Sequence, residues 1–201
     1  MKYSVNRYIN LTVKRLNLLV FMMIFSTNIS YANDKIPVWD LLKSGNHFAM
    51  VRHAIAPGTG DPSNFKIGDC STQRNLSDEG KHQAKSIGKR FRENGIENVN
   101  IFSSQWCRCL ETAQLLSLGP VQELPPLNSF FRDSENGASQ TQALKEWLSK
   151  KNLSTPTLLV THQVNITELT GIYPRAGEMV IVERTDSGEL IVIGRHQGER
   201  K

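Results

Sequence analysis

From residue 38 to residue 193, short apolar runs alternate with segments of helical period. A strand buried on both faces reads as an apolar run, and a helix that covers such a sheet carries a single inward stripe. Runs of the first kind occur at 47–51, 98–102, 121–124 and 157–160, and spacing predicts helices over 38–43, 78–94, 106–116, 138–150 and 164–170. That alternation implies an α/β chain in three layers, a mainly parallel sheet flanked by helices. Two more apolar runs, 179–183 and 190–193, flank Asp186-Ser187-Gly188 and predict a C-terminal hairpin.

Local chemistry sharpens these bounds. Ser77 is placed to cap the 78–94 helix, with Asp78 and Glu79 at its positive end and Gly95 beyond its last turn. Ala84, Ile87, Gly88 and Phe91 form its inward stripe. The corresponding stripes are Trp106, Leu110, Ala113 and Leu116 in the next helix, and Ala143, Leu144, Trp147 and Leu148 in the one after. Two long irregular stretches, 54–75 and 125–137, interrupt the pattern, and loops of such length inside a compact domain tend to carry function.

The first 32 residues read as a secretory leader: a basic start with Lys2, Arg7, Lys14 and Arg15, an apolar core of eight residues over 18–25, then Ser30-Tyr31-Ala32. A core this short does not span a bilayer, which takes about 20 apolar residues. Cleavage before Asn33 is expected. It leaves one domain over 33–201, located in the periplasm or secreted, with no stable membrane span. The whole chain has 24 basic and 19 acidic residues. Four of the basic ones lie in the leader, so 20 face 19 in the remainder, and the high pI argues for neither a nucleic-acid partner nor an acidic membrane surface. Export permits a disulfide, and Cys107 and Cys109 are too close along a helix to pair with each other. Either Cys70 bonds one of them and leaves the other as a thiol, or all three are small buried residues, and the sequence leaves both open. No ligand set with metal-site spacing is visible, so neither a metal nor another cofactor is expected.

Three polar segments follow apolar runs: Arg52-His53, Ser103-Ser104 through Arg108, and Thr161-His162. In a parallel α/β sheet the ligand crevice lies beyond the carboxyl ends of the strands, so these segments are predicted to meet. Two arginines and two histidines there suit phosphoryl transfer. A guanidinium binds phosphate oxygens bidentately and stays charged, each contact contributing about 1.5–3 kcal/mol. A neutral imidazole is a nucleophile near pH 7, and a phosphohistidine splits one slow step into two faster ones. A second imidazole, when protonated, adds a donor to the transferring group.

These segments resemble the histidine phosphatase superfamily, the phosphoglycerate mutase-like group. Arg52-His53-Ala54 is similar to its Arg-His-Gly, and Leu76-Ser77-Asp78-Glu79-Gly80-Lys81-His82-Gln83-Ala84 to its Leu-Thr-x-x-Gly-x-x-Gln-Ala. Ser103-Ser104 through Arg108 to Thr112-Ala113 follows Ser-Ser-Pro-x-x-Arg-x-x-x-Thr-Ala with Gln105 for the proline, and Val160-Thr161-His162 matches the second histidine. The similarity runs from about residue 46 to residue 194. It implies that His53 is the phosphorylated nucleophile and that Arg52, Arg108 and His162 form the phosphate pocket. Arg74 and Ser104 are further candidates for contact with substrate.

One part of the pattern is missing. Where mutase-like members carry a general acid in a Leu-Asn-Glu type segment, this chain has Leu127-Asn128-Ser129, and a serine does not donate a proton efficiently near neutral pH. Glu123, Asp133 and Glu135 are the carboxyls near enough in sequence to replace it. Acid-poor, exported members of the superfamily are phosphatases. The expectation is therefore an exported, metal-independent phosphomonoester hydrolase acting on a small-molecule phosphoester, an envelope sugar phosphate among the candidates. The alternatives are a non-catalytic phosphate- or phosphosugar-binding domain, and a phosphotransferase or mutase. The sequence does not fix the oligomeric state.

Overall fold

The computed structural model describes residues 37–197. The expected leader lies outside the described residues. The order of elements is α1 (Val38–Lys43), β1 (His47–Arg52), α2 (Asp78–Glu93), β2 (Asn100–Ser103), α3 (Cys107–Leu116) and β3 (Val121–Glu123). After these come α4 (Gly137–Lys150), β4 (Thr157–Thr161), α5 (Gln163–Thr170), β5 (Met179–Arg184) and β6 (Leu190–His196).

The six strands form one sheet in the order β3-β2-β4-β1-β5-β6. The first four are mutually parallel, and β5 and β6 are antiparallel to their neighbours. Side chains alternate between two cores. Ala49, Val51, Leu158 and Val160 face α1, α2 and α3, while Phe48, Met50 and Leu159 face α4 and α5. Three layers result because each central strand buries both of its faces and needs helices on each side.

Ser77 caps α2 as expected, its hydroxyl accepting from the Gly80 amide at 3.1 Å, and Ala84, Ile87, Gly88 and Phe91 are buried. Two stripes differ from their expected course. In α3, Leu110 is only half-buried and Cys109 takes its place in the core. In α4, Ala143 is exposed and Trp147 half-buried, while Thr141, Leu144 and Leu148 face inward at spacings of three and four. Alanine tolerates either environment in a helix, so it marks no face. Trp147 instead lies edge-on to Phe102, with ring centroids 4.6 Å apart, and the Lys151 ammonium sits 4.5 Å from the Phe102 ring centre.

Register decides where the site forms. Arg52 is opposite Thr161 and Ser103 is opposite Val160. The ladder continues one bond past each strand, from the His53 amide to the Thr161 carbonyl at 2.9 Å and from the Ser104 amide to the Val160 carbonyl at 3.0 Å. The ends of β1, β2 and β4 are therefore flush, and the residue after each strand leaves from the same edge. Among the described residues no helix is long and apolar enough to cross a membrane.

Candidate active site

His53 follows β1 directly and is 2% exposed. Its Nδ1 lies 2.8 Å from the carbonyl of Ala54. A carbonyl only accepts, so Nδ1 carries the ring proton and Nε2 keeps its lone pair. Burial first, and then the charge of Arg108, push the imidazole well below the ordinary histidine value. His53 is thus a neutral base with its nucleophilic nitrogen unprotonated.

His162 follows β4 and stands 5.5 Å from His53, centroid to centroid. Arg108 Nη2 lies 3.3 Å from its Nδ1, and Ser104 Oγ lies 2.8 Å from its Nε2. A guanidinium only donates, so Nδ1 accepts and Nε2–H donates to Ser104, whose hydroxyl donates in turn to Asn128 Oδ1 at 3.3 Å. Burial and the charge of Arg108 hold this ring neutral as well. In this state His162 steadies Arg108 and does not act as the cationic donor that the sequence allowed. Cys109 Sγ packs 3.5 Å from Nε2, and burial pushes this thiol up to about 12, so it remains protonated there.

A cavity of about 260 Å³ opens beside these rings, and Arg52, His53, Arg74, Arg108 and His162 all line it. Arg52 Nη1 donates to the Pro174 carbonyl at 3.0 Å. Arg74 Nε donates to the Gly60 carbonyl at 2.8 Å, and its Nη1 to that of Ala56. Arg108, 3% exposed, forms a 2.8 Å ion pair with Asp61. The Nε groups of Arg52 and Arg108 are buried and have no hydrogen-bond partner among the described residues. Clustered guanidiniums on one cavity wall suit an anion, whose oxygens accept from their N–H groups. Three guanidiniums against one carboxylate leave two positive charges on the floor, which matches a phosphomonoester dianion.

The shared motifs also have a physical role here. The amide of Ala54 donates to Thr112 Oγ1 at 3.0 Å, and that of Ile55 to Gln83 Oε1 at 3.1 Å. Gln83 Nε2 then reaches the Ala176 carbonyl at 3.0 Å. A side chain at Gly80 would collide with the Ile55 carbonyl, so only glycine lets α2 approach this closely. Gly80, Gln83 and Thr112 therefore fix the backbone just beyond His53.

The other candidates separate clearly. Ser104 is fully buried against His162 and Asn128, so it holds the second histidine and does not line the cavity. Glu123 is exposed, accepts from Gln105 Nε2 at 3.0 Å and stays off the cavity wall. Glu135 is exposed in a short turn and is also off the wall. Glu123 ends the edge strand β3, Glu135 sits in a turn before α4, and both are turned to solvent. Asp133 does line the mouth, with Ser129, Phe131 and Arg132. Asp61 had no place among the sequence candidates. It lies in Gly-Thr-Gly-Asp-Pro, where neither periodicity nor motif marks a partner. Cys70 is bonded to Cys107, and Cys109 is the thiol. Among the described residues no group of three or more His, Cys, Asp or Glu side chains gathers at metal-binding spacing.

Residues 49–130 match the histidine phosphatase superfamily, branch 1. Over 76 residues the chain is 34% identical to the 2,3-bisphosphoglycerate-dependent phosphoglycerate mutase of Staphylococcus haemolyticus, which covers 38% of this chain and 33% of that protein. The match thus spans about a third of the relative's length. In three dimensions the chain is similar to the protein histidine phosphatase SixA in complex with tungstate (TM-score 0.55, 15% identity, 74% of this chain and 95% of that one). It is also similar to phosphoserine phosphatase of Entamoeba histolytica in complex with 3-phosphoglyceric acid (TM-score 0.56, 13% identity, 76% and 98%). Motifs, sheet order and family match agree: residues 49–130 are similar to the histidine phosphatase superfamily, and the chain has a phosphoglycerate mutase-like α/β fold.

Proposed function

We propose that the protein is an exported phosphomonoester hydrolase that works without a metal through a phosphohistidine on His53. One observation carries this reading: His53, with Nε2 unprotonated, lines a cavity together with four guanidiniums, of which Arg52, Arg74 and Arg108 stand with it and Arg132 lies at the mouth. Arg52, Arg74 and Arg108 hold the phosphate oxygens and absorb charge as the phosphoryl group transfers. His53 Nε2 attacks phosphorus, and the bond from phosphorus to the ester oxygen breaks. The leaving oxygen takes a proton from water or from Asp133, the sequence candidate that lines the mouth. Water then attacks the phosphohistidine, releasing orthophosphate and restoring the neutral imidazole.

The leader and the Cys70–Cys107 bond both support an oxidising compartment. Phe131 and Tyr173, 53% and 69% exposed, flank the mouth and offer apolar faces to a sugar or aryl leaving group. An envelope sugar phosphate suits both the rim and the compartment. SixA, which shares the fold, binds tungstate, an oxyanion of phosphate-like shape.

Ser129, in place of the expected carboxyl, supports a second reading, a phosphate- or phosphosugar-binding domain without turnover. Quenching the exported protein with a labelled aryl phosphate separates the two. A covalent phosphoenzyme is expected, surviving chelator and lost in His53→Ala, with turnover lower by about a thousandfold or more. Absence of both phosphoenzyme and turnover overturns the hydrolase reading, and activity retained in His53→Ala overturns the phosphohistidine on His53. Asp61 is held as a carboxylate by Arg108 and the wall has no other buried carboxyl, so an aryl phosphate should turn over much faster than a glycerol phosphate. Equal rates at neutral pH would show that an effective proton donor is present.

A further inference from the structure

Asp61 and Arg108 form an ion pair with side chains 10% and 3% exposed. Both carboxylate oxygens are occupied: Oδ1 takes Arg108 Nη1 at 2.8 Å and the Arg74 amide at 3.1 Å, and Oδ2 takes Trp106 Nε1 at 3.1 Å. Burial alone would raise this carboxyl. The amide of Arg74 and the charge and hydrogen bond of Arg108 outweigh it and hold the group below the usual carboxylate value.

Asp61 belongs to neither strand nor helix, so its position is set by what fastens the 54–75 loop. Gly60, at φ +69°, makes the turn that brings it inward. Trp106, Cys107 and Arg108, consecutive at the start of α3, each take a partner from this loop. Trp106 stacks on Phe65 with centroids 4.8 Å apart, Cys107 is bonded to Cys70, and Arg108 is paired with Asp61. From the other side, Arg132 donates to the carbonyls of Asp61 and Pro62.

We infer that Asp61 is the positioning residue for phosphoryl transfer, holding the Arg108 guanidinium in place before substrate arrives. This deepens the phosphatase reading and rests on it. Arg108 has five N–H groups. One on Nη1 goes to Asp61 and one on Nη2 to His162, and the second N–H of each Nη is left for an anion. A long side chain pinned at one nitrogen loses less freedom when the transition state forms, so the pair favours turnover. Asp61 also cancels one positive charge in the hole, which weakens the hold on orthophosphate and speeds its release. Its removal should therefore move turnover and anion binding in opposite directions.

The test uses the exported full chain with its disulfide formed and an aryl phosphate as substrate. Asp61→Asn is expected to lower kcat about tenfold to a hundredfold, while the inhibition constant for orthophosphate falls. Asp61→Glu, which restores the charge on a longer stem, should recover part of kcat. A kcat for Asp61→Asn within about twofold of the parent overturns the inference. So does an inhibition constant that rises together with a lowered Tm, since that pattern belongs to a loop that has merely come loose. A parent protein with neither phosphoenzyme nor turnover overturns the phosphatase reading and this inference with it. An active parent beside an equally active Asp61→Asn overturns the inference alone.

Discussion

A histidine kept neutral by its surroundings stays nucleophilic at a pH where a free one is half protonated. His53 and His162 are both in this condition, through burial and the charge of Arg108. The linkage to stability has a definite sign. Below the ordinary histidine value, about 6.5, the unfolded chain takes up two protons that the folded one refuses. Folding stability is therefore lost as pH descends from there towards the depressed folded values, by up to about 1.4 kcal/mol per pH unit for each group. Urea unfolding between pH 7.5 and pH 5 should show this slope, and His162→Gln should reduce it. A flat profile for the parent protein would mean that the two rings charge freely in the fold. Residues of this kind were partly legible in the sequence. His53 and His162 were identified because each follows an apolar run at a strand exit. Asp61 was not, because an isolated carboxylate in a glycine-rich loop has the same local appearance whether it meets solvent or Arg108.

The elements were legible where one face had to be buried. α2 has its cap, its stripe and its stop in the sequence, and it folds where they place it. The ends of α4 were equally clear, yet its inward face was not, because Ala143 and Trp147 accept either environment. How closely two elements approach is a further property that a one-dimensional pattern holds only in its glycines. Gly80 brings the first turn of α2 onto the Ile55 carbonyl, two residues beyond His53. Gly80→Ala adds a methyl against backbone that cannot rotate aside. The expected cost is about 1–3 kcal/mol, reduced somewhat by alanine's better helix propensity. Thermal unfolding should show the loss, and kcat should fall with it because His53 leans on that backbone through the Ala54 carbonyl. Unchanged Tm and kcat would show that α2 can retreat without disturbing the site.

In the whole molecule, one covalent link joins the longest loop to the helix bearing Arg108. The Cys70–Cys107 bond closes a separation of 37 residues, and removing such a constraint from the unfolded chain costs about 3–4 kcal/mol in the chain-entropy account. Alkylation and intact mass of the protein purified without reductant should count one thiol, Cys109. Cys70→Ser/Cys107→Ser should lose stability of that order in urea, and three alkylated cysteines in the parent would contradict the pairing. By itself the sequence determined the layered α/β plan, the hairpin and the two histidines with two arginines at strand exits, because periodicity and strand ends are properties of neighbours along the chain. It excluded a Cys107–Cys109 bond but left open whether Cys70 pairs with either or all three stay thiols, because Cys107 and Cys109 leave one helix in directions that only packing distinguishes. Tertiary structure alone decided which carboxylate enters the cavity, which serine turns from substrate to His162, and how the 54–75 loop is fastened. Those outcomes rest on contacts between segments some fifty residues apart, such as Asp61 and Arg108, whose energies appear only after the sheet has set its register.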